Sequence, residues 1–189
     1  AIKTNLRNNI WLNTDDKRCN NLFDHGIYKT KDLINNYIYY FLSVPAIYSL
    51  DRDGKAIPTK FHFNELLTQL HTEGVLNENY ILTFLRQIFT NVRLKNLVEI
   101  RGADRTPEGF EIAPAAFWVG ILNEGLIRSK VLEEISSWNK QDRYLLNQSS
   151  LYLDKNQIGP KEKIYGQWIE FFGELALEGL KIRSNKEHS

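Results

Sequence analysis

The chain has 189 residues, 42% of them hydrophobic and 25% charged, with a formal net charge of +1. That balance suits a soluble globular protein. No apolar run approaches the roughly 18 residues of a membrane span, no signal-peptide pattern opens the chain, and no basic stripe with interleaved aromatics marks a nucleic-acid binder. The only cysteine, Cys19, excludes an internal disulfide framework and fits a reducing compartment, so the cytoplasm is the default location. The chain starts at Ala1 and contains no methionine, as expected of a processed protein, an engineered piece or a fragment.

In chain order, KDLINNYIYYFLS (31–43) places Leu33, Tyr37, Tyr40 and Phe41 at helical spacing, and Pro45 cannot continue that helix. AIYSLDRDGKAIPT reads as a short hairpin turning at Asp53-Gly54. FNELLTQL and NYILTFLRQIF are two further short helices, the second with Ile81, Leu85, Ile88 and Phe89 on one side. LVEIRGA reads as a strand, and PAAFWVGILNEG as a buried helix opened by Pro114. LIRSKVLEEISSW follows as an amphipathic helix lining up Leu126, Val131, Leu132 and Ile135. A last amphipathic helix over 161–184 carries Ile164, Trp168, Phe171, Phe172, Leu175 and Leu180 as one stripe.

Helices with a few short strands and no βαβ alternation predict a single α+β domain over residues 1–189, with helices packed on an antiparallel sheet. The visible strands are too few for a complete sheet. A fragment folding alone is therefore expected to expose an apolar sheet face and to self-associate.

The strand LVEIRGA raises a chemical question. Alternation puts Leu97, Glu99, Arg101 and Ala103 on one face and sends Val98 and Ile100 into the core. A carboxylate and a guanidinium then stand about 7 Å apart along the strand, at ~3.3 Å per residue. The bland alternative is an edge-strand ion pair facing water. The sharper one is a polyphosphate site, where the acid holds a hard cation such as Mg²⁺ and the arginine forks onto phosphate oxygens.

Longer stretches weigh on that choice. Val92-Arg93-Leu94-Lys95, then Glu99-Ile100-Arg101-Gly102-Ala103-Asp104, then Pro114 to Gly120 with one extra alanine, resemble the glutamate–cysteine ligases of the bacterial and plant type. LRNNIWLNTDDKR is similar to an N-terminal segment of that family and places Arg7, Ile10, Trp11, Thr14, Asp15 and Arg18; SVPAIYSLDRDGK is similar to a family hairpin. The likeness runs from about Arg7 to Trp138.

The resemblance implies a glutamine-synthetase-like ligase fold, incomplete in this chain, and ATP-dependent transfer of a γ-glutamyl group to the amine of cysteine. ATP phosphorylates the γ-carboxylate of glutamate, and the amine displaces phosphate from the acyl phosphate, as in glutathione biosynthesis. Positioning and electrostatics carry such chemistry, and no side-chain nucleophile is needed. ATP and Mg²⁺ are the implied cofactors, glutamate and cysteine the implied substrates, and a homo-oligomer or a separate N-terminal half the implied partner.

On this likeness Glu99 is a metal ligand and Arg101 contacts the transferring phosphoryl group. Arg7 contacts the glutamate carboxylate or the acyl phosphate, and Trp11 walls the substrate pocket or packs as a half-buried core residue. Arg18 and Asp15 reach the nucleotide or form an exposed ion pair. Asp104 orients Arg101 or makes a turn. Arg93 and Lys95 could reach nucleotide phosphates, although a solvated pair before the strand is the favoured reading.

Other residues carry less. Cys19 has no matched histidine, and His25, His62, His71 and His188 share no metal-ligand spacing. Phe117-Trp118 reads as packing behind the sheet. RTPEGFEIAP and CNNLFDHGIY depart from the family pattern in loops that shape the amino-acid pockets, so a related ligase joining another acid or amine is an alternative. A non-catalytic remnant, or a fragment needing its N-terminal half, is another, since the family's other metal-binding glutamates have no counterpart here.

Overall fold

The computed structural model describes residues 10–11, 13–19, 31–152 and 154–187. Arg7, His25 and His188 lie outside the described residues. The chain divides into two compact units, Asn8–Gly102 and the unit carried by Ala103–Ser189.

The first unit is built on α1 (Leu33–Ser43), which buries Tyr37, Tyr40 and Phe41. α2 (Phe63–Thr72) buries Phe63, Leu66 and Leu70, and its start is a capping box between His62 and Glu65. Phe41, Phe63 and Phe84 stack in series with ring centroids 5.0 and 5.2 Å apart, and Val44, Ala46 and Ile88 complete the core. α3 (Glu78–Leu85) is capped by the Asn77 side chain. It ends four residues before the expected apolar stripe does, because the Gln87 N–H turns back to the Phe84 carbonyl. Phe84 is therefore the core-facing residue of this helix, while Ile81 is exposed.

The predicted hairpin forms. β1 (Tyr48–Leu50) pairs antiparallel with β2 (Ala56–Pro58), and Gly54 adopts the positive φ of 78° that the turn requires. A second antiparallel ribbon joins β3 (Val92–Leu94) to β4 (Val98–Ile100), with Arg93 opposite Glu99. β3 was not expected as a strand. Three residues are too few to show a period, and the turn that reveals it, with the Lys95 N–H bonded to the Leu97 carbonyl, carries no glycine or proline.

The fold class is thus mixed helix and antiparallel strand. Instead of one sheet, the described residues hold two separate two-stranded ribbons. The expected direction of β4 is corrected at Val98, which is 61% exposed, as is Val92 at 42%, while Ile100 is half-buried. The charged side of the ribbon is the one turned toward the body of the unit, because the Arg93 guanidinium reaches the backbone there, as described below.

The second unit is helical among its described residues. α4 (Ala113–Asn123) carries Pro114 in its first turn, as expected, and α5 (Gly125–Ser136) follows after one residue. α5 buries Ile127 fully, with Val131 half-buried a turn later, whereas Leu126, Leu132 and Ile135 are exposed. α6 (Lys140–Ser149), unanticipated because its stretch is polar, starts at a capping box between Asn139 and Asp142. α7 (Tyr165–Glu187) begins four residues later than expected. Lys161 and Glu162, in a short 3-10 turn at Pro160–Glu162, hold positive φ, and the Lys161 N–H is bonded to the Asp142 carboxylate.

α4 and α7 cross at almost no separation. A Cβ on Gly120 would lie 2.1 Å from the Ala176 carbonyl oxygen, and one on Gly179 would lie 2.0 Å from that of Gly120. Ile121, Leu175 and Ala176 are buried around this crossing, with Phe117 and Phe171 packed beside them. Phe117 therefore packs among helices and not behind a sheet, and Trp118 is exposed. Trp138, Trp168 and Phe172 form a second aromatic group, with the tryptophan rings 4.9 Å apart edge to face.

Candidate functional site

The candidate site lies on the charged face of the β3–β4 ribbon. Cross-strand register puts Arg93 beside Glu99. Arg93 Nη2 and Nε donate to Glu99 Oε2 at 2.7 and 3.1 Å, and Lys95 Nζ meets the same oxygen at 2.8 Å. Arg101 Nη1 donates to Oε1 at 3.1 Å. One carboxylate thus gathers three cations, and side-chain exposures of 28% for Glu99 and 25% for Arg101 leave both half-buried. Glu99 and Arg101 share a face and touch.

Arg93 is buried because its Nη1 donates to the carbonyls of Arg86 and Ile88 at 2.8 and 3.0 Å. Those carbonyls lie past the early end of α3, where no helical partner serves them. The expectation of a solvated Arg93–Lys95 pair is corrected on this ground: both side chains close onto Glu99, and Arg93 also ties the ribbon to the helix end. Hydrogen bonds from Lys95 first and Arg93 next hold the Glu99 carboxyl down at about 2, so it is ionised at neutral pH.

Phe89 and Trp11 flank this cluster. The Arg101 guanidinium lies over the Phe89 ring, 5.7 Å from its centroid, and the Trp11 ring stacks on Phe89 at 5.7 Å and 27°. Trp11 is half-buried. Arg18 is buried and occupied by the protein itself: it pairs with Asp15 and donates to the carbonyls of Pro45 and Gln87 at 2.8 and 3.4 Å. Asp104 is exposed and belongs to the second unit. A groove of about 820 Å³ between the β1–β2 hairpin and α2, floored by Ile57, Leu66 and Leu70, is lined by none of these candidates.

Sequence reasoning misses one member of the site and discounts another: Phe89 is expected on a helix that ends before reaching it, and Lys95, though named for nucleotide phosphates, is favoured as solvated. Reading VRL and VEI as the arms of one tight hairpin about Lys95–Leu97 would have paired Arg93 with Glu99 and drawn in Lys95.

Mg²⁺ needs six oxygens at near-octahedral geometry. Glu99 meets one requirement, a carboxylate that stays ionised. Among the described residues no three His, Cys, Asp or Glu side chains converge as a metal site, and both Glu99 oxygens already meet Arg93, Lys95 or Arg101, so Glu99 offers at most one donor and not a site.

The model of glutamate-cysteine ligase family 2 matches residues 4–162. The chain belongs to this family. Among curated relatives, the chloroplastic glutamate–cysteine ligase of Nicotiana tabacum is 30% identical over 96% of this chain and 35% of its own length. The protein of the same name from Medicago truncatula is 31% identical over 96% of this chain and 36% of its own length, and that of Solanum lycopersicum is 33% identical over 96% and 35%. The chain spans about a third of the length of the relatives it matches. The Glu99 cluster lies within the matched residues.

Proposed function

We propose that the chain is the part of an ATP-dependent glutamate–cysteine ligase that grips the transferring phosphoryl group. The reaction forms a γ-glutamyl phosphate and then an amide with the amine of cysteine. The observation that carries the reading is the contact between Glu99 and Arg101 on one ribbon face, inside the matched family segment. Arg101 contacts the phosphoryl oxygens; Arg93 holds the ribbon to the helix end, and Lys95 adds positive charge beside it. A preorganised donor set of this kind stabilises charge that develops on a phosphoryl group.

Glu99 would be one ligand of Mg²⁺, which when bound neutralises charge on the phosphate oxygens. Its other oxygens come from phosphate, water or length this chain does not span. Arg7 remains our candidate for the carboxylate of glutamate, and Trp11 for a wall near it. We place the two ribbons in a larger antiparallel sheet of the glutamine-synthetase-like ligase fold. An isolated two-stranded ribbon is marginal in water, and the outward Val92 and Val98 leave an apolar face for further strands or helices, or for self-association of the chain alone. The lone cysteine supports a reducing, cytoplasmic setting.

Calorimetric titration with ATP and Mg²⁺, followed by an ADP-release assay with cysteine and competing amines, tests the reading. ATP binding that falls at least tenfold in Arg101→Gln supports it, and unchanged binding in that variant overturns it. Preference for another amine would favour a related carboxylate–amine ligase.

A further inference from the structure

We propose that Phe89 is a positioning residue for Arg101, its ring face fixing the plane from which the guanidinium grips a phosphate anion. The inference rests on the phosphoryl-binding reading above and adds a residue to it.

A guanidinium carries five N–H donors in a rigid planar fork, so its use depends on how the plane is turned. The side chain behind it is long, and holding it costs rotamer entropy. Glu99 restrains one nitrogen, Nη1, at 3.1 Å. A hydrogen bond to one nitrogen of the planar fork does not by itself set the plane of the fork. The Phe89 ring, 5.7 Å from the guanidinium carbon, supplies a second restraint from the face, within the ~6 Å at which cation–π attraction acts.

Phe89 is itself immobilised. Its N–H donates to the Arg18 carbonyl at 2.7 Å, and the Arg18 side chain is locked onto Asp15, Pro45 and Gln87. Its neighbours Ile88 and Thr90 are fully buried, and Trp11 stacks on its ring. The Arg101 N–H donates to the Asn91 carbonyl at 2.7 Å, two residues beyond Phe89, so ring and guanidinium ride on backbones bonded to one another. Supporting contacts of this kind keep a binding group within the tolerance its ligand needs. The early end of α3 frees Phe89 for this place.

The alternative, ordinary packing of an aromatic ring, predicts effects independent of Arg101. A double-mutant cycle separates the two. Inorganic tripolyphosphate is titrated into the full chain, Phe89→Leu, Arg101→Gln and the double variant at low salt, with thermal unfolding of each. Phe89→Leu should weaken tripolyphosphate binding about two- to fivefold, as expected for a cation–π contact, with Phe89→Tyr restoring it. In the Arg101→Gln background Phe89→Leu should change nothing further. An equal loss in both backgrounds, or none in either, overturns the inference while the phosphoryl reading stands. Unchanged affinity in Arg101→Gln alone overturns both. Phe89→Met, which keeps bulk and removes the ring, replaces Phe89→Leu if that variant does not fold.

Discussion

The two units place their polar tethers differently. Up to Gly102, buried polar side chains hold irregular backbone throughout: Arg18 on the carbonyls of Pro45 and Gln87, Gln87 on Ile47 and Tyr48, Arg93 on Arg86 and Ile88. From Ala103 on, helices meet through apolar side chains and a glycine crossing, and such tethers gather at the turn before α7, where Asp142, Ser149 and Trp168 hold Lys161, Ile158 and Pro160. Charged chemistry is assembled where polar tethers already fix the chain, since a buried donor gains most when its geometry is set in advance.

The comparison breaks most sharply at the glycine crossing. Gly120→Val should destabilise the second unit by about 3 kcal/mol, the upper range for overpacking, because the atom in the way is backbone and cannot rotate aside. Unfolding followed by tryptophan fluorescence checks this. An unchanged midpoint would mean that α4 and α7 can separate at little cost.

In the first unit, Glu99→Gln should cost roughly 2–3 kcal/mol, since it leaves buried Arg93 without its countercharge. The sign of the pH dependence follows from the depressed carboxyl. The folded protein holds Glu99 at about 2 against an ordinary 4.5, so the stabilisation is complete above pH 4.5 and is lost as pH falls toward 2. Acid unfolding of the wild type and of Glu99→Gln should converge across that window and run parallel above it.

Legibility did not divide along the units. The aromatic face of α1, the Asp53-Gly54 turn and the opening of α4 at Pro114 were readable, because each is set by local spacing or by one residue's backbone preference. The Glu99–Arg101 juxtaposition was readable too, from alternation along one strand. Phe84 replacing Ile88 and Phe89 on the face of α3, Val98 turning outward, and Lys95 joining the cluster were not. Each depends on a contact outside the local period, the Gln87 N–H on the Phe84 carbonyl, the Arg93 guanidinium on the Arg86 and Ile88 carbonyls, or Lys95 on Glu99, and no periodicity records that. The late start of α7 belongs with them, since it turns on Asp142 capturing the Lys161 N–H.

Gln87→Leu tests the polar tethers directly. The Gln87 side chain accepts from the Ile47 and Tyr48 N–H groups at 2.7 and 3.2 Å and donates to the Tyr48 carbonyl at 2.9 Å, all in a nearly dry setting. Leucine keeps the volume and strands those groups, for a loss of about 1–2 kcal/mol. Hydrogen exchange should show the β1–β2 hairpin opening first, while the Trp138–Trp168 group in the other unit keeps its protection.

The smallest effect sharpens the comparison from the other side. Lys130 Nζ on α5 meets Glu178 on α7 at 3.0 and 3.2 Å, distances like those around Glu99. If proximity alone set the strength, Glu178→Gln would cost as much as Glu99→Gln. It should not, because these side chains are 43% and 44% exposed, so water and salt screen the pair and both chains lose rotamer freedom in making it. The expected loss is at most about 0.5 kcal/mol, vanishing in 0.5 M salt, where the Glu99 variant keeps most of its deficit. Equal losses in the two variants would mean that desolvation by the ribbon adds nothing to the Glu99 cluster, and the case for a preorganised anion site there would fail with it.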